Sequence, residues 1–238
     1  MFINYAHRGA SQYYPENTLM SFYGCLSMGP KGIETDIHKT KDGKLVLFHD
    51  DTLDRVTDGK GDITTYTYDE LRAFTVSGGE NGELKDKITL FEDFLKHFSF
   101  RDLTFAVELK QDHVEKETID MLEKYNAREK TVLTSFGFDN LVRARAYNPN
   151  YKIGYLVEEV TDEVLKNLKE LGGEEICPHS RQVTKENVDA WHAMGFNVRA
   201  WGISDPEVMK KVTDAGVDGM TVNFPDLLTA YLKEKGIE

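Results

Sequence analysis

The stretch Gly32-Ile33-Glu34-Thr35-Asp36-Ile37-His38-Lys39-Thr40-Lys41-Asp42-Gly43-Lys44-Leu45-Val46-Leu47-Phe48-His49-Asp50 decides the fold. It reads as a strand, a tight turn at Asp42-Gly43 and a returning strand. Glu34 and Asp36 stand two apart, and side chains two apart on a strand share a face. Both carboxylates therefore point the same way, from a strand made apolar by Ile33 and Ile37. Two like charges so close repel each other unless a cation lies between them. The returning strand ends in His49-Asp50, a titratable pair at a strand end. The expectation is a hard divalent cation bound by oxygens, with a histidine beside it.

Outward from this hairpin the chain alternates. Residues 2–6 read as a strand with His7-Arg8-Gly9 at its end, and 19–28 as a helix capped by Asn17 or Thr18. Residues 51–87 are rich in Asp, Gly, Thr and Lys, with a weak helix at 69–74 and a loop at 77–82. They read as a polar insertion after the second strand, inside one domain of residues 1–238. Helices are expected at 90–98, 114–125, 139–147, 162–171, 184–194, 205–215 and 225–235. Strands are expected between them at 103–109, 131–136, 152–157, 175–178, 197–203 and 217–222. With 2–6 and 32–37 this makes eight strands, each followed by a helix. Such alternation implies an α/β fold with a parallel sheet and right-handed crossovers. Eight units in 238 residues imply closure into a (β/α)8 TIM barrel. An open doubly wound sheet is the alternative, without a Gly-rich dinucleotide fingerprint to support it.

The formal net charge is −12, with 40% hydrophobic and 29% charged residues. That balance disfavours nucleic acid or an anionic membrane surface as a partner, so an anionic substrate must be attracted by a metal or a few placed cations. Cys25 and Cys177 are the two cysteines, too far apart in sequence to read as a disulfide framework. The chain opens without a basic, then apolar, leader pattern, and no apolar run approaches the ~20 residues of a membrane span. Cytoplasmic location is the expectation.

Polar residues collect at the C-terminal ends of the expected strands, which form the active face of a barrel. They are His7-Arg8, Glu34 and Asp36, Glu108 and Lys110, Ser135, Trp201 and Asn223. Three carboxylates, Glu34, Asp36 and Glu108, without a cysteine ligand suit Ca2+ or Mg2+. On the residues alone, a solvated strand end or an ion pair with Lys110 and Arg8 is the alternative. His7 and His49 beside an oxygen site form a candidate acid and base pair, because imidazole titrates near working pH. Arg8 and Lys110 would hold an anion in front of the metal. Of the other histidines, His38 is expected to leave the barrel with the hairpin, while His97 and His113 read as surface residues and His192 as a helix residue. His179, at a strand end, is an auxiliary candidate.

These residues resemble the glycerophosphodiester phosphodiesterase family. The likeness is carried by His7-Arg8-Gly9, Pro15-Glu16-Asn17-Thr18, Glu34-x-Asp36, Asp42-Gly43 with His49-Asp50, and Leu53-x-Arg55-x-Thr57. It continues through Thr89-Leu90, Glu108-Leu109-Lys110, Ser135-Phe136, Trp201 and Gly216-Val217-Asp218-Gly219 with Pro225. The resemblance implies a (β/α)8 barrel with a small insertion. It also implies one divalent metal, Ca2+ or Mg2+, on Glu34, Asp36 and Glu108, and an acid/base pair of His7 and His49. Phosphate contact falls to Arg8 and Lys110. Trp201 is a candidate to pack over the substrate, with a core residue of the barrel mouth as the alternative. The implied reaction cleaves a glycerophosphodiester to glycerol 3-phosphate and an alcohol. Which histidine is acid and which base, and whether water or the substrate's own hydroxyl attacks, stay open. The chain departs from the family at Gly202-Ile203-Ser204 after Trp201, at Asn223 where Asp is common, and at Ile88 where Pro is usual. A phospholipase D-like enzyme acting on lysophospholipids, or a non-catalytic phosphodiester-binding barrel, are the competing readings.

Overall fold

The computed structural model describes residues 2–237. Eight parallel strands close into a barrel: Ile3–His7, Gly32–Lys39, Thr104–Leu109, Thr131–Ser135, Lys152–Val157, Glu175–Pro178, Asn197–Ala200 and Gly219–Val222. Closure comes from the first strand, which pairs in parallel with both the second and the last. Each strand is followed by a helix, and the eight are Leu19–Leu26, Phe91–Phe98, Glu115–Lys124, Phe138–Tyr147, Asp162–Leu171, Lys185–Ala193, Pro206–Asp214 and Pro225–Lys235. The TIM barrel expected from the alternation is what forms, with helix ends within two residues of the expected ones.

Helix starts follow local chemistry. Thr18, Thr161, Thr184 and Asp205 each accept a hydrogen bond from a backbone N–H of the first turn. Pro206 and Pro225 occupy first-turn positions where no N–H is needed. The outward face of the barrel is apolar. Ile33, Phe105, Val107, Leu133, Ile153, Ile176, Val198 and Met220 join Phe22, Phe94, Leu141 and Leu228 of the helices in one buried cluster.

The returning strand is Leu45–Leu47, antiparallel to the end of the second strand. Thr89–Leu90 pairs on its far side, so these two residues are strand and the helix begins only at Phe91. This layer covers His38, which is buried with Nε2 3.5 Å from the His49 carbonyl rather than carried out of the barrel. Residues 51–87 hold a short helix, Tyr68–Leu71, and a two-stranded ribbon, Val76–Gly78 with Leu84–Asp86. Ser77 and Gly78, expected in the loop 77–82, pair with Lys85 and Leu84 as part of this ribbon, which leaves 79–83 as the turn. The segment has its own apolar cluster, Leu53, Ile63, Leu71 and Val76, packed with the adjoining Ile88 on Val46 and Phe48 of the hairpin.

The barrel interior holds an ion pair. Arg199 is 2% exposed, and its Nε donates to Glu175 Oε2 at 2.9 Å and its Nη1 to Thr221 Oγ1 at 2.9 Å. The guanidinium lies over the Tyr5 ring, 5.2 Å from the centroid. A buried cation stripped of its counter-ion is costly, so Glu175→Gln is expected to destabilise the protein by about 3–5 kcal/mol. Chemical denaturation checks this; an unchanged midpoint and slope contradict it.

Candidate active site

Strand register assembles the polar residues at one rim. In the parallel pairing His7 lies opposite Glu34, and Asp36 lies opposite Glu108. Glu34, Asp36 and Glu108 are buried, and each offers an oxygen within 4.8 Å of the other two. They are the one such cluster of potential ligands among the described residues.

Two backbone departures complete the rim. His7 and Arg8 are consecutive, so an unbroken strand would send them to opposite faces. Arg8 instead adopts φ +54° and Gly9 φ +82°, which turns the Arg8 side chain back into the mouth. Its amide donates to the Glu34 carbonyl at 3.0 Å, its Nη1 donates to Glu16 Oε1 at 2.8 Å, and its Nε lies 3.4 Å from Asp36 Oδ2. Asn17, at φ +57°, donates from Nδ2 to Asp36 Oδ2 at 2.8 Å and accepts from Thr35 Oγ1 at 2.7 Å. Thr18 is therefore the helix cap and Asn17 is a partner of the acidic cluster.

The electrostatics are those of an anionic nest partly covered by cations. Lys110 Nζ donates to Glu108 Oε1 at 2.9 Å. The ion pairs weighed as an alternative to a metal site thus exist, yet they leave the cluster unbalanced. Asp36 Oδ1 is buried with no hydrogen-bond partner among the described residues. Burial opposes charge at Asp36, but Arg8, His49 and Lys110 outweigh it and hold this carboxyl down at about 2. Burial and the Asp36 charge push Glu108 up to about 7 against the pull of Lys110. Burial, Asp36 and Glu108 raise Glu34 well above the ordinary carboxylate range. An orphaned buried oxygen within an all-carboxylate set fits a hard divalent cation.

The two imidazoles have different partners. His7 Nδ1 donates to Asn223 Oδ1, which also accepts from Ser11 Oγ at 3.0 Å. An amide oxygen only accepts, so Nε2 of the neutral ring is the free, unprotonated nitrogen, 3.9 Å from Glu34 Oε2. Burial and the Arg8 charge press His7 well below the usual imidazole value, keeping it neutral. His49 Nδ1 donates instead to a carboxylate, Asp50 Oδ1, at 2.6 Å.

His7, Arg8, Glu34, His49, Glu108, Lys110 and Trp201 share one cavity of about 650 Å3. Asp36 is fully buried beside Glu34 and Glu108 and does not line the cavity itself. The far side is apolar, made by Phe136, Leu156, Trp201 and Ile203. Trp201 is fixed by its indole N–H, which donates to the Cys177 carbonyl at 3.1 Å, and by the Phe136 ring at right angles, 5.0 Å between centroids. His179 packs edge-on against Trp201 at 4.6 Å between centroids, outside the imidazole pair. Ser135 turns away to donate to the Leu109 carbonyl at 2.8 Å. The sequence places Asn223 on the active face without giving it a role, and it does not assign Asn17 or Phe136 to the site, although both stand in motifs that carry the family likeness.

A model of the glycerophosphoryl diester phosphodiesterase family matches residues 7–227. The chain belongs to that family. A glycerophosphodiester phosphodiesterase of Bacillus altitudinis is 31% identical, covering 93% of this chain and 94% of its own length. An uncharacterised Bacillus subtilis protein is 30% identical over 97% of this chain and 98% of its own. An Oleispira antarctica phosphodiesterase, solved in complex with its product sn-glycerol-3-phosphate, is 26% identical with a TM-score of 0.88, covering 97% of this chain and 96% of that one. The residues that line the cavity, His7 to Asn223, all lie within the span matched by the family model. Among the described residues, no helix is long and apolar enough to cross a membrane.

Proposed function

We propose that the chain is a metal-dependent glycerophosphodiester phosphodiesterase that releases glycerol 3-phosphate and an alcohol. The reading rests on one observation: three buried carboxylates meet, one with an orphaned oxygen, and the other two line a cavity together with two differently partnered imidazoles. Residues 51–87 belong to this single barrel domain as an insertion. Their surface is polar, which favours a water-soluble diester over a lysolipid.

Glu34, Asp36 and Glu108 would hold one Ca2+ or Mg2+. When bound, such an ion neutralises phosphate charge as a Lewis acid. The chain's own groups do the rest. Arg8 and Lys110, both on the cavity wall, bind the phosphate oxygens and stabilise charge that grows on them in the transition state. His7 Nε2, held neutral, takes the proton from the attacking O–H, whether of water or of the substrate's neighbouring hydroxyl. His49, whose Nδ1–H faces a carboxylate, gives a proton to the departing alkoxide. Trp201 and Phe136 pack against the arms of the diester and exclude water.

A coupled assay for glycerol 3-phosphate, run across several headgroups with added Ca2+ or Mg2+, tests this reading. Turnover of glycerophosphocholine or glycerophosphoethanolamine is expected, with much weaker action on the lysolipid counterpart. Exhaustive chelation is expected to abolish release, and re-addition of metal to restore it. Undiminished activity after chelation would remove the metal from the account, and preference for the lysolipid would replace the substrate.

A further inference from the structure

Arg55 lies in the 51–87 segment and makes four hydrogen bonds, although its side chain is 48% exposed. Its Nε donates to Asp50 Oδ2 at 2.6 Å and its Nη2 to Asp50 Oδ1 at 3.0 Å. Its Nη1 donates to Glu16 Oε2 at 2.8 Å and its Nη2 to Glu16 Oε1 at 2.7 Å. One guanidinium therefore holds two carboxylates, each by both oxygens, as only a planar fork of donors can. Asp50 Oδ1 is also the acceptor for His49 Nδ1, and Glu16 Oε1 is also the acceptor for Arg8 Nη1. The result is a hydrogen-bonded chain, His49, Asp50, Arg55, Glu16 and Arg8, in which nitrogen donors alternate with carboxylates. It runs between two residues that both line the cavity.

The segment does not need these bonds to fold. It has its own apolar cluster, with Leu53, Ile63 and Leu71 fully buried. Its backbone is closed by Leu53 N to the Gly61 carbonyl at 3.0 Å, Ile63 N to the Asp51 carbonyl at 3.0 Å and Ser77 N to the Val56 carbonyl at 2.8 Å. Asp50 has less to hold it. Its carboxylate is partly open to solvent, and the side-chain donors on it are His49 and Arg55. Asp50 lies well below the usual carboxylate range, because the Arg55 and His49 hydrogen bonds outweigh its burial, so it stays a fixed anion.

We propose that Arg55 is a positioning residue: acting through Asp50 and Glu16, it sets the His49 imidazole in a fixed relation to the Arg8 guanidinium across the mouth of the cavity. The inference rests on the proposed hydrolase reading. It assigns the insertion a part in the reaction, as the element that carries the clamp.

The test compares Arg55→Ala and Arg55→Lys with the wild-type protein on a glycerophosphodiester. Loss of the clamp is expected to lower kcat by about 10–100-fold, the range for groups that orient a reacting side chain, with KM little changed. Lysine keeps the charge but not the fork, so Arg55→Lys should fall with Arg55→Ala. Added guanidinium ion should restore part of the activity of Arg55→Ala and do nothing for the wild type. The His49 Nδ1–H proton, followed by NMR, should move upfield and exchange faster in both variants while the cooperative melting transition is kept. Full kcat in Arg55→Ala, or an unchanged His49 proton, overturns the proposal. So does a loss of kcat that only follows loss of folding and is not rescued. A wild type inactive on every glycerophosphodiester would sink the hydrolase reading, and the His49 resonance would still decide whether Arg55 orients the ring.

Discussion

His49→Ala lowers kcat for glycerophosphodiester hydrolysis by about 10²–10⁴-fold, the usual contribution of a general acid or base, and leaves the fold intact. His49 follows the short returning strand and contributes no apolar packing, so its loss opens no core cavity. His7→Ala is expected to cost a similar factor in kcat. The two losses differ in kind because the rings differ in partner. A ring that protonates the leaving group matters less when that group departs readily. A p-nitrophenyl diester should therefore recover much of the rate in His49→Ala and little of it in His7→Ala. Near-native kcat in either variant removes that residue from the mechanism. Equal losses of both variants on both substrates would contradict the division of roles.

The second large effect is electrostatic and depends on pH. In the metal-free protein Glu108 is raised to about 7 and Glu34 is raised in the same direction. A group whose folded value lies above its unfolded one contributes stability at low pH and loses it as pH rises through the folded value. Glu34 and Glu108 therefore make the metal-free protein less stable as pH climbs from the ordinary carboxylate range, about 4.5, through about 7. Asp36 is depressed to about 2 and works the other way: its contribution is complete above its unfolded value of 3.8 and is lost only in strong acid. A divalent cation takes the place of the protons on Glu34 and Glu108, so its stabilising effect should grow across the same window and its binding should release protons. At 100 times its Kd such an ion adds about 2.7 kcal/mol. Melting curves with and without Ca2+ or Mg2+ at about pH 5 and about pH 8 check this, with the larger shift expected at the higher pH. Asp36→Asn should abolish the shift at both. A metal shift independent of pH, or intact in Asp36→Asn, would place the ion elsewhere.

Much of the barrel was legible because alternation of strand and helix is a local signal. Glu175–Pro178, Lys152–Val157 and Pro225–Lys235 match their expected bounds, each marked off by turn residues and periodicity. The ribbon Val76–Gly78 with Leu84–Asp86 was not legible, since three-residue strands separated by glycines carry no alternation. Leu90 read as the start of a helix because the strand character of Thr89–Leu90 comes only from pairing with the returning strand. In the site, Glu34, Asp36 and Glu108 were legible through a spacing of two and equal depth in the sheet. Their surroundings were not. His7 meets Asn223 across 216 positions, and Arg8 faces the mouth only through its positive φ. Those facts depend on barrel closure and on where loops return, which no window of sequence contains.

The most direct measurement is a crystal of the protein soaked with Mn2+, examined for anomalous scattering. One strong peak is expected among the carboxylate oxygens of Glu34, Asp36 and Glu108, displaced by Ca2+ and missing in Asp36→Asn. A peak elsewhere on the chain, or none at concentrations that support turnover, would contradict the claim that these three side chains meet around a metal ion.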